Sequence, residues 1–418
     1  MNFEWFTVRR ILSSEKHKGS VSAPIIKIAI AAIAAGMTIM ILSVATGIGL
    51  QQKIRQKVES FNGTVTLINL ENQGQIEDIV PWACTPETLG HLSEIEGVAH
   101  VQATAHKPAL ILTQSDFEGI VLKGVGPEYD WDRLSEFLIQ GRWIDPSDDL
   151  NNQIVISKSI AQRLSLTLDA NLNTYFLDQV ASNKDALSPK TRARGFNVVG
   201  IYDSGFDDFD SQMVFVDIRH IQRLNRWSKD EIGRLEVLAK DNFDVELLTR
   251  ELYDLAPVTV DAVSMYASYF NIFEWLSLFD FNIYLIIIIM IIVATINMVT
   301  ALIVLILERS RMIGIFQAMG AGNWRIQKIF LLQAAYIVLW GLFWGNLFGL
   351  TMVWVQDTWQ WIQLDPQTYY VRSAPVHLPL ISWAFLNLGT FVLCLLFLLI
   401  PSYLVAKISP VRALRFDG

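Results

Sequence analysis

Residues 281–307 read FNIYLIIIIMIIVATINMVTALIVLIL and contain no Asp, Glu, Lys or Arg. A bilayer core of about 30 Å is crossed by about 20 apolar helical residues, so this stretch is long enough to span it. Residues 28–50, 329–355 and 377–406 share the property. Buried helices of water-soluble proteins are shorter and amphipathic, so the sequence predicts four membrane-spanning helices.

Composition agrees with this prediction. Of the 418 residues, 52% are hydrophobic and 18% charged, and the mean hydropathy is +0.34. These values exclude a disordered chain and a collagen-like fibre. Only two cysteines occur, and Cys394 lies in the fourth apolar stretch, so we expect no disulfide scaffold.

The charges between the apolar stretches predict the topology. Basic residues outnumber acidic ones in residues 1–27, 308–328 and 407–418, whereas residues 356–376 hold one basic and two acidic residues. By the positive-inside rule, both termini and the 308–328 loop are expected in the cytoplasm. Residues 51–280 then lie outside, with 35 acidic and 20 basic residues. That acidity argues against nucleic acid as a partner.

The predicted fold class is an α-helical membrane protein with four transmembrane helices and a large mixed α/β periplasmic domain between helices 1 and 2. The first helix is interpreted as an uncleaved signal anchor, because a charged segment precedes it and its apolar stretch is long. The predicted organisation follows: a cytoplasmic amphipathic segment 1–24, spans 25–50, 281–307, 329–355 and 378–405, a periplasmic domain 51–280, a cytoplasmic loop 308–328, a short periplasmic loop 356–377 and a cytoplasmic tail 406–418.

The periplasmic segment is predicted to mix strands and helices in two lobes, whose boundary the sequence leaves open. Short β-branched or apolar runs bounded by turn residues predict strands at 64–68, 109–112, 120–123, 154–157, 174–177, 197–202, 213–217 and 234–238. Thr85 followed by Pro86 predicts a helix start, with Gly97 as its end. Helices are also predicted at 157–164 and 243–255. Breaker-free stretches up to residue 62 and from residue 263 predict that spans 1 and 2 extend outward as a helical stalk.

Residues 178–195, DQVASNKDALSPKTRARG, interrupt this pattern. They are polar, they lie between two predicted strands, and they end in a basic group. Such a loop is often a solvated hairpin tip. The alternative is a protruding contact element.

Catalytic motifs are missing from the sequence. It has no P-loop, no H-E-x-x-H and no G-x-S-x-G, and its six histidines show no ligand pairing. We therefore expect no catalytic residue, no metal site and no cofactor in this chain. Spans without charge also argue against a proton or ion pathway lined by acids.

Two short motifs remain as candidate functional features. The cytoplasmic loop predicts a compact helix that ends at Gly320, with Asn323 capping the next helix. It would present Arg309, Arg311, Ile315 and Met319 to a soluble motor subunit, unless it is merely a connector. In the third span, Gly341, Gly345 and Gly349 form G-x-x-x-G-x-x-x-G, which permits close helix packing.

With these features, the chain resembles the FtsX/MacB-type ABC permeases. The resemblance covers essentially the whole chain. It rests on the loop ERxxxIGIxxAMGA at 308–321, which includes Ile313, Gly314 and Gly320, on the tail PVRALR at 410–415, and on LKG at 122–124, GR at 141–142 and IVIS at 154–157. Among these permeases the chain looks most like the lipoprotein-releasing LolC/LolE family, through FEWFTVRR at 3–10, FNVVGIY at 196–202 and the last outer loop at 364–376. It departs from that family at SVATG, 43–47, where an Asn-Gly-Phe is more usual.

The resemblance implies a MacB-like (type VII) permease in the inner membrane of a Gram-negative-type bacterium. It would work with a homodimeric ABC ATPase that supplies ATP and Mg, with a second permease copy or a paralogue, and with a periplasmic lipoprotein carrier. Lipoproteins and membrane lipids would be its ligands. The hairpin loop would hook the carrier through Ala186, Leu187, Ser188, Pro189, Lys190 and Arg192.

For a lipoprotein substrate, the first two spans would form an uncharged lateral opening, in a dimer, that accepts acyl chains. Methionine suits its lining, because its flexible side chain adapts to variable apolar ligands. Its candidate lining is Met37, Met40, Ile41, Val44, Ile287, Met290, Ile291 and Val293. Two alternatives stay open: an efflux or cell-division permease that moves no lipid, and a membrane sensor or scaffold whose outer domain only binds a partner.

Overall fold

A computed structural model describes residues 22–402 except 114–115, 147–149, 178–190 and 242. The chain forms two compact units. The membrane unit comprises the residues up to Gln51, Trp275–Gln363 and the residues from Ser373 on. The outer unit comprises Gln52–Glu274 and Leu364–Arg372.

The described residues contain helices and strands in alternation along the outer unit and long helices in the membrane unit. The helices are α1 Ser22–Asn62, α2 Pro86–Ser93, α3 Lys158–Arg163, α4 Asp207–Asp210, α5 Ile218–Asn225, α6 Val245–Leu255, α7 Met265–Ser268, α8 Phe270–Glu308, α9 Ser310–Ala318, α10 Asn323–Trp359, α11 Pro366–Tyr369 and α12 Leu380–Ser402. The strands are β1 Val65–Asn69, β2 Trp82–Ala83, β3 Val98–Leu112, β4 Phe117–Val125, β5 Leu138–Gly141, β6 Gln153–Ser157, β7 Asn171–Leu177, β8 Thr191–Tyr202, β9 Met213–Asp217, β10 Glu231–Ile232, β11 Arg234–Ala239 and β12 Val260–Ser264.

Four of the described helices, α1, α8, α10 and α12, are long and apolar enough to cross a membrane. With 41 residues, α1 is about 60 Å long at 1.5 Å per residue, roughly twice the thickness of a bilayer core. Its polar end, which carries Lys53, Arg55 and Lys57, belongs to the outer unit. The prediction that the first helix continues to residue 62 is confirmed.

An apolar core joins the helices of the membrane unit, with buried side chains from α1, α8, α10 and α12. A polar cluster lies beside it. Asn346 on α10 donates to the side-chain oxygen of Asn387 on α12 at 2.6 Å, and Trp383 donates its indole N–H to Asn346 at 2.6 Å. Interhelical hydrogen bonds of this kind hold membrane helices together without a hydrophobic driving force.

The outer unit is built on one sheet in the order β12-β1-β11-β3-β4-β9-β6-β8-β5, with β7 paired to β3 and β8. The neighbours β4 and β9, and β6 and β8, run parallel; the other pairs are antiparallel. One apolar core with buried side chains from the sheet and from α2, α3, α5 and α6 stabilises this unit. The sheet is continuous, and the expected division into two lobes stays a prediction.

All eight predicted strands overlap observed strands, although several are longer than predicted. Strand β3 begins at Val98 and not at residue 109. Its first part was not predicted, because the polar residues Gln102, Thr104, His106 and Lys107 interrupt the apolar run, and these side chains are buried in the structure. The helix start after Thr85 is confirmed: Thr85 Oγ1 accepts the Thr88 N–H at 3.3 Å. The predicted end at Gly97 is wrong, because the helix ends at Ser93 with Glu94 as its C-cap.

Two further predicted helix boundaries are wrong. The second stalk helix does not begin at residue 263, because Val263 and Ser264 pair with Thr66 and Val65 as part of β12. The described helices there begin at Met265 and Phe270. In the loop 308–328, α10 is preceded by Gly322 as its cap, and Asn323 is the first helical residue. The amphipathic N-terminal segment and the cytoplasmic tail lie outside the described residues.

Candidate functional site

The three glycines of the third span lie where α10 crosses α1. A Cβ atom on Gly341 would come within 2.6 Å of Ile33, one on Gly345 within 2.5 Å of Met37, and one on Gly349 within 2.9 Å of Ile41. The Thr38 hydroxyl also reaches the Gly345 carbonyl at 3.2 Å. The two helices are therefore in contact along a face on which only glycine fits.

The candidate lipid lining divides into two groups. Met37, Met40, Ile41 and Val44 on α1 are buried, and the first three belong to the core of the membrane unit. Ile287, Met290 and Ile291 on α8 are half-buried, whereas Val293 is exposed. Because Met37 and Ile41 fill the space next to the glycines, an opening that exposed them would have to separate α1 from α10.

Helix α8 approaches α1 from another side. Met290 lies 4.0 Å from a Cβ atom placed on Gly36, and a Cβ atom on Gly47 would overlap the end of the Ile283 side chain. The two helices that flank the outer unit in sequence are therefore neighbours at these glycines.

Helix α9, in the loop between α8 and α10, has a buried and an exposed side. Ile313 and Gly314 are buried, and Ile313 belongs to the same core as Ile326 and Phe330 of α10. Arg311, Ile315, Met319 and Gly320 are exposed, and Gly320 has φ +86° at the end of the helix. Arg309 is half-buried. The exposed side presents apolar surface next to a basic residue.

Trp324 extends this exposed side, with 61% of its surface accessible. A tryptophan so exposed in the first turn of α10 is typical of a contact residue. The sequence did not single out Trp324, because its exposure depends on how the helices pack.

A buried ion pair lies at the end of α1 in the outer unit. Lys123 Nζ is 2.6 Å from Glu236 Oε1, and both side chains are buried. The same ammonium donates to the carbonyl of Phe61 in the last turn of α1. Burial lowers the pKa of the Lys123 ammonium, and the Glu236 carboxylate opposes that shift.

Polar side chains surround the pair on the same side of the sheet. Gln102 Nε2 donates to Glu236 Oε2 at 2.8 Å, and Thr104 donates to Glu236 Oε1 at 3.3 Å. His106 lies opposite Lys123 in the strand register. Burial, together with the cations Arg234 and Lys123, lowers the pKa of His106, which keeps its imidazole neutral.

Residues Leu364–Arg372, in the loop between α10 and α12, also belong to the outer unit. Lys57 Nζ donates to the Tyr370 carbonyl at 3.0 Å, and the Phe206 and Tyr370 rings stack with centroids 4.7 Å apart. Arg372 forms an ion pair with Asp203. The sequence singled out this loop by resemblance alone, since its contacts come from residues distant in the chain.

The proposed hook lies mostly outside the described residues, because Ala186, Leu187, Ser188, Pro189 and Lys190 fall within 178–190. The strands that flank it are described: β7 and β8 pair up to Leu177 and Thr191. Of the hook candidates only Arg192 is described, and its guanidinium donates to the Leu224 carbonyl at 3.1 Å. Among the described residues, no group of three His, Cys, Asp or Glu could hold a metal ion.

Comparison with known families matches both units of the chain. Residues 28–255 match the MacB-like periplasmic core domain, and residues 284–410 match the FtsX-like permease C-terminal domain. The chain belongs to the FtsX/MacB-type permeases. As an ABC permease of this type, it is an inner-membrane protein with a periplasmic domain, the outer unit, between its first two membrane helices.

The permease also has full-length relatives. It is 22% identical to the lipoprotein-releasing system transmembrane protein LolC of Xylella fastidiosa, over 98% of this chain and 97% of that protein. It is 23% identical to the LolC protein of Neisseria meningitidis, over 98% of each. A solved structure, the periplasmic region of MacB from Actinobacillus actinomycetemcomitans, matches with a TM-score of 0.31 and 16% identity over 48% of this chain and 88% of that chain.

Proposed function

We propose that this permease, driven by a separate ABC ATPase, extracts lipoproteins from the outer leaflet of the inner membrane and passes them to a periplasmic carrier. The observation that carries the proposal is the match, over nearly the whole length of both chains, to permeases of lipoprotein-releasing systems. Both termini would lie in the cytoplasm, and a second copy or a paralogue would complete the transporter.

The energetics of lipid anchors explain why such a permease needs charge-free spans. Burial of acyl chain contributes about 0.8 kcal/mol per CH₂, so three chains of about fifteen carbons resist transfer to water by tens of kcal/mol. Transfer becomes feasible when the chains pass from bilayer to protein to carrier without meeting water. A path between α1 and α8 suits this requirement, because residues 28–52 of α1 and 281–307 of α8 carry no charge.

ATP and Mg would bind to the ATPase and not to this chain. The conformational change of the ATPase would reach the permease through the exposed side of α9, which Arg311, Ile315 and Met319 form. On the other side of α9, Ile313 and Gly314 are buried, and Ile313 shares a core with residues of α10. The carrier would bind at the loop 178–190 and at Arg192.

Depletion of the permease followed by membrane fractionation tests the function. We expect lipoproteins to accumulate in the inner membrane, and re-expression to clear them. Antibiotic sensitivity or cell chaining with lipoproteins correctly localised would favour the efflux or cell-division alternative and contradict the proposal. Normal localisation without either defect would favour a sensor or scaffold.

A double substitution tests the proposed ATPase contact. Ile315→Glu with Met319→Glu places two charges on the exposed side of α9, and we expect ATPase affinity to fall by about 30-fold or more, as for an interface hot spot. The measurement is the amount of ATPase that copurifies with the tagged permease. Val258→Glu is the control, because Val258 is a fully exposed apolar residue of the outer unit. Copurification equal to that of the control would rule out this contact.

A further inference from the structure

The last turn of α1 is held by two different donors. The Gly63 N–H, at φ +74°, donates to the Glu59 carbonyl at 2.8 Å, as glycines beyond helix ends commonly do. The Phe61 carbonyl, one of those without an intrahelical partner, accepts from Lys123 Nζ. A buried ammonium on the sheet therefore caps a helix that begins in the membrane unit.

Lys123 also joins that helix end to three neighbouring strands. Lys123 is on β4, and its partner Glu236 is on β11. Glu236 accepts from Gln102 and Thr104 of β3, the strand between them. The Lys123 ammonium lies 5.3 Å from the centroid of the Tyr129 ring. One network thus links α1 to the centre of the sheet.

The rings around Phe61 cannot fix the helix end in the same way. Phe61 stacks on Phe209 with centroids 4.7 Å apart and has tilted contacts with Phe137, Tyr202 and Phe215 at 5.4 to 6.1 Å. Such contacts are less directional than a hydrogen bond, because aromatic pairs tolerate several offset and tilted arrangements. The bond from Lys123 to the carbonyl is directional and fixes one position.

Stability alone does not explain a buried ion pair at this place. Well-packed residues of similar volume often replace such a pair without loss, because desolvation offsets the attraction between the charges. What apolar residues cannot supply is a hydrogen bond to the helix-end carbonyl. We propose that Lys123, oriented by Glu236, is a positioning residue that fixes the end of α1 on the sheet, so that movement of α1 is transmitted to the outer unit. This role rests on the proposed function.

The test is the double variant Lys123→Met/Glu236→Gln, studied in the full complex with its ATPase. It removes both charges with little change of volume, and the amide oxygen introduced by Glu236→Gln can still accept from Gln102. The matched control is Arg234→Met/Asp78→Asn. That pair is 2.8 Å apart. Arg234 is on β11 of the same sheet, and Asp78, in the loop before β2, accepts from the His106 N–H.

Three readouts separate the possible outcomes. We expect amides 57–62 of the double variant to exchange hydrogen about tenfold faster, with β3 and β11 unchanged. ATP hydrolysis should stay within twofold of the wild type, while lipoprotein release falls by about tenfold or more. The control should release lipoproteins normally. Unchanged exchange at 57–62, or unchanged release, would overturn the positioning role.

Failure of the proposed function gives a different result. In that case the wild-type complex itself releases no lipoprotein. The transmission of α1 movement to the sheet is then measured by amide hydrogen exchange alone. We then expect nucleotide to change exchange in β3, β4 and β11 of the wild type but not of the double variant. Equal nucleotide responses in the two proteins would overturn the positioning role independently of any cargo.

Discussion

The single substitution Lys123→Met is expected to lower the free energy of unfolding of the outer unit by about 3–5 kcal/mol, because it leaves the Glu236 carboxylate buried without its counter-ion. At roughly 2–4 °C per kcal/mol for a unit of this size, the unfolding temperature should fall by about 6–20 °C. Tryptophan fluorescence of the full chain in detergent measures it, since Trp131 and Trp143 stack 4.8 Å apart beside Phe215.

The comparison of the single and double variants separates charge from packing. Adding Glu236→Gln to Lys123→Met removes the unpaired charge, so the double variant should regain at least about half of the lost stability. Lys53→Met is the control: Lys53 pairs with Glu136 at 3.0 Å, with both side chains exposed, and such pairs contribute about 0–1 kcal/mol. If the single variant unfolds at the wild-type temperature, Lys123 does not neutralise Glu236.

The spans were predictable from the sequence because their signal is local. Absence of charge over more than 20 residues identifies a membrane helix without knowledge of its neighbours, and the four helices lie where this criterion placed them. Strands were also predictable from local sequence where their apolar runs were uninterrupted. The run at 213–217, for example, coincides with β9.

The interior polar side chains were not predictable in this way. In β3, the polar residues Gln102, Thr104 and His106 alternate with Val101, Ala103 and Ala105, which is the pattern of a strand with one solvated face. In the structure both faces are covered, and the polar face carries the network around Lys123 and Glu236. Lys123 lies within the apolar run GIVLKGV, 119–125, and this was a local sign of a buried charge. The local sequence does not indicate which residues cover the Lys123 side chain.

The candidate site was only partly predictable for the same reason, because it depends on contacts between segments that are distant in the chain. Sequence spacing showed that Gly341, Gly345 and Gly349 share one helix face, but it did not show that α1 covers that face. It also placed Met37 and Ile41 in a lipid path, whereas the structure packs them against the glycines. Under the proposed function, we therefore expect a path for acyl chains along α1 to begin at its contact with α8, where Met290 is half-buried.

The substitution Gly345→Leu should disrupt the crossing of α1 and α10. A Cβ atom at Gly345 would lie 2.5 Å from Met37 Cβ and 2.9 Å from the Ala34 carbonyl. Because the carbonyl is backbone, rotation of a side chain cannot relieve the overlap, and the helices must move apart. Overpacking costs about 1–3 kcal/mol where side chains can adjust, so we expect a loss of about 3 kcal/mol or more in detergent unfolding.

The matched control is Gly389→Leu on α12, because a Cβ atom at Gly389 meets nothing within 4 Å. Both substitutions add the same apolar surface to a membrane helix, so they should insert equally well. A difference in unfolding then measures the helix contact alone. The same logic extends to function: if α1 must stay packed on α10 while it moves against α8, Gly345→Leu should abolish release while Gly389→Leu leaves it intact. Equal stability of the two variants would mean that the glycine face contributes nothing to packing, and α1 would be free to leave α10.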